Sequence, residues 1–136
     1  MKRDVLISAL KRAAEEQGYA FHTGSEDRIP SRLSNFPTMW LTPVKLTSVR
    51  GRRECLSNYH THIFLMMAST PDTRVEAESG LQILEKDAAR IYHNLQQDPS
   101  IARIYGLKTS AVKSSFTKYA EITLSMEMDA ELFYCL

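Results

Sequence analysis

Apolar residues recur along this chain with two periods, and the switches between them divide it into elements. Between residues 3 and 17, Val5, Leu6, Ala9, Leu10 and Ala13 fall at helical spacing, Lys11, Arg12, Glu15 and Glu16 lie off that stripe, and Gly18 follows as a stop signal. A short strand over Tyr19–Phe21 is expected next. Residues 22 to 35 are polar and carry Pro30, and so long a loop is marked as functional or mobile. After Phe36-Pro37 an extended run from Met39 to Val49 places Trp40, Thr42, Val44 and Leu46 on one face and Leu41, Pro43 and Lys45 on the other. Pro43 has no N–H for a ladder, so this strand is expected at an edge or bulged there. Arg50-Gly51-Arg52-Arg53 reads as a hairpin tip, and the return strand runs from about residue 54 to 68. Tyr59, Thr61, Ile63, Leu65 and Met67 share one of its faces, with His60, His62, Phe64 and Met66 on the other. Both faces become apolar towards Met67, which predicts a central strand covered on both sides.

Helical spacing returns with Ala77, Leu81, Leu84, Ala88, Ile91 and Leu95. The stretch opens on Thr73-Arg74-Val75-Glu76, which has the form of a capping box, and stops at Asp98-Pro99. Gly80 inside it costs about 1 kcal/mol relative to Ala, and its smallness suits close packing on a sheet. A strand over Ile101–Lys108 and a Ser/Lys-rich, partly extended connection over 109–117 follow.

The last stretch, Tyr119 to Leu136, alternates most regularly. Every even position is apolar, and Glu121, Glu127, Asp129 and Glu131 fall among the odd ones. This predicts a strand over about 119–134 with one buried face and one acidic, wetted face. Its roughly 17 residues would span about 56 Å, against a diameter of about 37 Å for a domain of this size. Such a strand must bend, change sheets or leave its own subunit. The order of elements gives an α+β fold: a mostly antiparallel sheet carrying helices 3–17 and 73–97 on one face, with a hairpin over 39–68, in a single domain over residues 1–136.

Composition changes this picture little. With 43% hydrophobic and 24% charged residues the chain is ordinary for a globular protein, and a net charge of +1 argues against a dedicated nucleic-acid binder. No apolar run is long enough for a transmembrane helix, and Lys11 and Arg12 interrupt any signal-peptide core, so no membrane role is expected. Cys55 and Cys135 form neither a disulfide framework nor a metal spacing. His60 and His62 share a strand face and form the most metal-like pair, but no third ligand stands at a recognisable spacing, so neither metal nor cofactor is expected. No nucleophile elbow or phosphate-cradling glycine loop occurs, and the acidic row reads as a solvated face, so no enzyme is expected. The basic tip (Lys45, Arg50, Arg52 and Arg53) is the one strongly charged cluster. It reads as solvated, as a subunit contact opposite the acidic strand of a neighbour, or as a contact to phosphate.

In layout the chain resembles the tail terminator and tail-completion (head–tail joining) proteins of long-tailed bacteriophages and prophages. The resemblance rests on the opening helix Val5–Gln17, Phe36-Pro37 leading into WLTPVKL at 40–46, the basic turn RGRR, YHTHIFLMM at 59–67, the helix Thr73–Gln97 and AEITLSMEM at 120–128. It implies an α+β subunit of a ring, commonly a hexamer, that caps the tail tube and has no enzymatic activity. Its partners would be itself, the tail tube and head-completion proteins, with DNA passing through the lumen without specific binding. It also implies location in the virion, and in the bacterial host cytoplasm during assembly. In such a ring Lys45, Arg50, Arg52 and Arg53 would meet a neighbour, and Glu121, Glu127, Asp129 and Glu131 would line the lumen or an interface. The alternative is a small dimeric α+β module that binds a ligand or peptide, with an apolar pocket around Trp40, Tyr59 and Phe64.

Overall fold

The computed structural model describes residues 2–51, 55–69 and 74–133. The elements are α1 (Lys2–Glu16), β1 (Ala20–Thr23), a 3-10 turn (Glu26–Arg28), β2 (Thr38–Leu41), β3 (Lys45–Arg50), β4 (Leu56–Met67), α2 (Arg74–Gln96), β5 (Arg103–Val112) and β6 (Ile122–Phe133). The expected capping residue Thr73, the tip residues Arg52 and Arg53, and Cys135 with its neighbours 134 and 136 lie outside the described residues.

The fold is α+β. Its mixed sheet runs β1-β2-β4-β6-β5, with β3 beside β4 next to β2, and all pairings except β1–β2 are antiparallel. At its centre β4 and β6 pair without a slip from Leu56↔Phe133 to Met67↔Ile122. Both helices cover one face. There the expected stripe of α1 (Leu6, Ala9, Leu10, Ala13) and that of α2 (Leu84, Ala88, Ile91, Leu95) meet Met39, Leu41, Ile63, Leu65 and the even residues Leu124–Leu132 of β6. A second, smaller cluster sits on the opposite face, where Ile29, Leu33, Phe36 and Phe116 cover Trp40, Phe64 and Met66. β4 is thus apolar on both sides towards its end because both sides are covered.

The C-terminal ends of both helices follow the sequence signals. Gly18 adopts φ +81, its N–H donates to Glu15 and that of Tyr19 to Ala14, which closes α1 in a Schellman motif. The Tyr19 hydroxyl then donates to Asp87 at 2.7 Å and ties the end of α1 to α2. Burial, reinforced by that hydrogen bond and the carboxylate charge, pushes its pKa well above the usual phenol value. Just past the C-terminus of α2, Asp98 accepts a hydrogen bond from Arg12 at 3.0 Å. Burial pulls the Asp98 carboxyl upward, but hydrogen bonds from the Ser100 hydroxyl and N–H and from Arg12 outweigh it, and the net shift is downward from 3.8.

Four expectations need correction. The run Met39–Val49 is two strands: β2 ends at Leu41, where Leu41 faces Ile63, and β3 begins with Lys45 facing His60, a slip of one residue around Pro43. A one-residue slip reverses faces, so Leu46 lies on the helix side while Trp40 lies opposite. The loop 22–35 is a cover for the back of the sheet: Trp40 Nε1 donates to the Gly24 carbonyl at 2.8 Å, and Ile29 and Leu33 are buried. β5 begins at Arg103, two residues later than expected, and takes in the extended part of the connection as far as Val112. The described part of the last strand starts at Ile122 rather than 119, because Ala120 has φ +52 and a turn precedes it. Its 12 residues lie alongside β4 within the subunit, so this part neither changes sheets nor leaves it.

Two measurements probe this packing. A Cβ on Gly80 would sit 2.5 Å from Ile122 Cδ1 and 3.3 Å from Met67 Sδ. Both atoms lie at or near the ends of flexible side chains beside a cleft and can turn aside at small cost, so Gly80→Ala should still stabilise, but by less than the usual helix gain of about 1 kcal/mol, read by urea denaturation. Asp98→Asn should cost about 1 kcal/mol near neutral pH. Because the folded pKa is depressed, that contribution is present above 3.8 and fades as pH falls through the folded value, so wild type and variant should converge in acid.

Candidate functional site

The back face of the sheet divides into two halves. The half towards the end of β4 is apolar and covered. The other half, where β3, the start of β4, the end of β6 and the start of β5 meet, is polar and open. Cross-strand register puts Lys45, Ser48 and Arg50 of β3, Asn58 and His60 of β4, Glu127, Asp129 and Glu131 of β6, and Arg103, Tyr105 and Lys108 of β5 on this one face.

Glu131 is the anchor. It is only 3% exposed, Arg50 donates to its Oε2 through Nε at 3.2 Å and Nη2 at 2.5 Å, and Arg103 Nη1 donates to Oε1 at 3.3 Å. A buried carboxylate carries a large desolvation cost that partners must offset, and two guanidiniums from strands on either side of β4–β6 do so. The arginines themselves stay open, with side chains 63% and 60% exposed. Arg103 also lies 4.1 Å over the Tyr105 ring, a cation–π contact, while the Tyr105 hydroxyl reaches across β6 and donates to Asn58 Oδ1 at 2.6 Å. Asn58 Nδ2 donates in turn to Thr47 Oγ1 at 2.7 Å and Asp129 Oδ1 at 3.3 Å.

His60 stands between two carboxylates, with Nδ1 3.2 Å from Asp129 and Nε2 3.1 Å from Glu127. His62 lies 2.7 Å from Ser125 Oγ, its ring against Phe64. The two histidines thus have separate partners, and among the described residues no group of three His, Cys, Asp or Glu converges as a metal site. Among the described residues, too, every buried side-chain N or O has a hydrogen-bond partner. The buried groups of the polar half-face are therefore paired, while its cations reach solvent.

The four acids expected to form one wetted row therefore have different fates. Glu121 is buried at the far end of β6, where its carboxylate accepts the N–H groups of Phe116 at 2.8 Å and Thr117 at 2.6 Å and fixes the turn before the strand. Glu131 is buried between arginines. Glu127 and Asp129 alone keep partial exposure, at His60. With Lys45, Arg50, Arg103 and Lys108 on the same face, the surface is of mixed charge rather than acidic. Of the basic cluster, Lys45 and Arg50 are exposed on β3, and Arg50 meets the acidic strand of its own chain. The pocket expected around Trp40, Tyr59 and Phe64 does not form: Tyr59 lies on the helix side, and Trp40 and Phe64 are packed beneath the back cover. The sequence did not single out Arg103, Tyr105 and Asn58, because nothing in their spacing reveals that β5 and β4 flank β6.

A cleft of about 460 Å³ lies at the opposite end of the sheet. Its lining includes Met67, Gly80, Leu81, Ile83, Val112 and Ile122, and Ile83 is half exposed. No known family model matches the chain, and no curated protein matches its sequence. No helix among the described residues is long and apolar enough to cross a membrane.

The network predicts non-additive energetics. Arg50→Ala and Arg103→Ala should each cost under about 1 kcal/mol, since each arginine is exposed and the other still holds Glu131. Losing both leaves a buried carboxylate alone, so the double variant should lose at least about 1 kcal/mol more than the sum. Equilibrium unfolding of the three variants reads the coupling.

Proposed function

We propose that this chain is a ring subunit of the tail terminator kind, a structural virion component that caps a tail tube and joins it to the head. The observation that carries the reading is that, among the described residues, exposed apolar side chains stand in unlike patches at the two ends of the sheet. Phe133 and the half-buried Leu56 lie side by side at the hairpin end of the sheet, next to Arg50. Ile83 lies in the cleft at the other end, and Tyr119 adjoins Ala120, which also lines it. Two different patches on opposite ends suit head-to-tail contacts that close into a ring, whereas a two-fold dimer needs one self-complementary patch. The α+β layout that carries the resemblance to tail terminators supports the same reading.

In this ring the tube, the head-completion proteins and other copies of the chain are the partners, and DNA passes through the lumen without specific contacts. The wall that faces the DNA is not assigned to the β6 acids, since two of them are buried. The reading assigns no catalytic residue and places the protein in the virion, and in the host cytoplasm during assembly. The cleft favours a second reading, a dimeric ligand- or peptide-binding module, because its volume lies within the range of small-molecule sites.

Negative-stain images of the chain, alone and mixed with tail tubes, should show rings seated on tube ends. Particles assembled without it should carry tubes of uncontrolled length. A chain that stays monomeric or dimeric by light scattering and never decorates tube ends would remove the ring reading.

A further inference from the structure

β3 pairs with β4 along one side, and among the described residues no strand lies along its other side, because β1 stops beside β2. All six of its residues are exposed. Proteins commonly blunt such an edge with charge or a bulge. Here the register shifts at Thr47, whose hydroxyl donates to the Asn58 carbonyl at 3.0 Å, and the shift sorts the edge. Leu46 faces Tyr59 and Val49 faces Ser57, so both lie on the helix side, 49% and 54% exposed. Lys45, Ser48 and Arg50 face His60, Asn58 and Leu56 on the other side. Without the shift Leu46 and Val49 would point to opposite faces. The edge is thus apolar on one face and basic on the other, a pattern a second strand can read.

Charge decides which strand. The other long edge of the sheet, β5, carries Arg103, Tyr105 and Lys108 on the same face as Lys45 and Arg50. Joining β3 of one copy to β5 of the next, or β3 to β3, sets cations against cations across the new pair, which is destabilising. We propose that the β3 edge takes, as an added strand, an extended segment of a different protein with alternating acidic and apolar side chains. Its acids meet Lys45 and the open side of the Arg50 guanidinium, its apolar residues meet Leu46 and Val49, and main-chain hydrogen bonds supply the rest. One short strand buries less than the roughly 1,200 Å² of a stable interface, so this contact alone is weak, transient and salt-dependent. The inference stands apart from the ring, since a chain that forms none still has this edge.

Fluorescence anisotropy of a short labelled peptide of alternating valine and glutamate tests it against the full chain. The peptide should bind, weaken with added salt, and weaken roughly fivefold on Lys45→Glu. Its counterparts with lysine for glutamate, or N-methylated at alternate residues, should not bind. Val49→Lys, at an exposed position, should weaken binding while circular dichroism and oligomeric state stay unchanged. Absence of binding overturns the proposal, as does equal binding of the N-methylated or lysine peptide. A change of oligomeric state in Val49→Lys would give the edge to a second copy, and duplex DNA binding lost in Lys45→Glu would give it to nucleic acid; either result overturns it too.

Discussion

The unbroken pairing of β4 with β6 is the constraint from which the rest of the molecule is positioned. Twelve residues of each strand meet in one register, and each strand keeps one face for the helices. A slip of a single residue would turn Met126, Met128 and Ala130 outward and place Glu127 and Asp129 in the core. That cost holds the register, and the register in turn aligns Asn58 with Glu131 and His60 with Asp129. The flanking strands are less regular. Both β3 and β5 carry a shift against their central partners, and β2 and β3 are separated by another around Pro43. Irregularity is thus confined to strands that do not set the core.

Local physics made much of this readable from the sequence. The stripes of α1 and α2, the stop at Gly18, the small residue at Gly80 and the two-sided burial of Ile63–Met67 all follow from periodicity and residue size. Gly51 adopts φ +97, the conformation for which a glycine is expected there. The slip around Pro43 was not readable, because alternation carries no mark of where a ladder gains a residue. Nor was the burial of Glu121 and Glu131. A carboxylate on a strand reads as wetted until its partners are known, and here they are the backbone of a turn and two arginines from other strands.

The same limit explains why site chemistry was hard to find in the sequence. Arg50, Arg103 and Glu131 come together only through strand order, as do Tyr105 and Asn58. The expected apolar pocket failed for a related reason: Trp40 and Tyr59 look like neighbours on a hairpin, yet the intervening slip and their places in register put them on opposite faces. The back cover then fills the space beside Trp40 with the side chains of a segment whose composition looks like an open loop.

That cover has a consequence for how the protein can be watched. Trp40 is the only tryptophan in the chain, and it sits in the back cluster, not beneath the helices. Its indole is buried and bonded to the Gly24 carbonyl. Its emission therefore reports on the smaller of two cores, while the far-ultraviolet signal of α1 and α2 reports on the larger. Detachment of the 24–37 segment would redden the fluorescence with the helical signal intact. The molecule carries a built-in optical label for a layer that its backbone spectrum hardly registers.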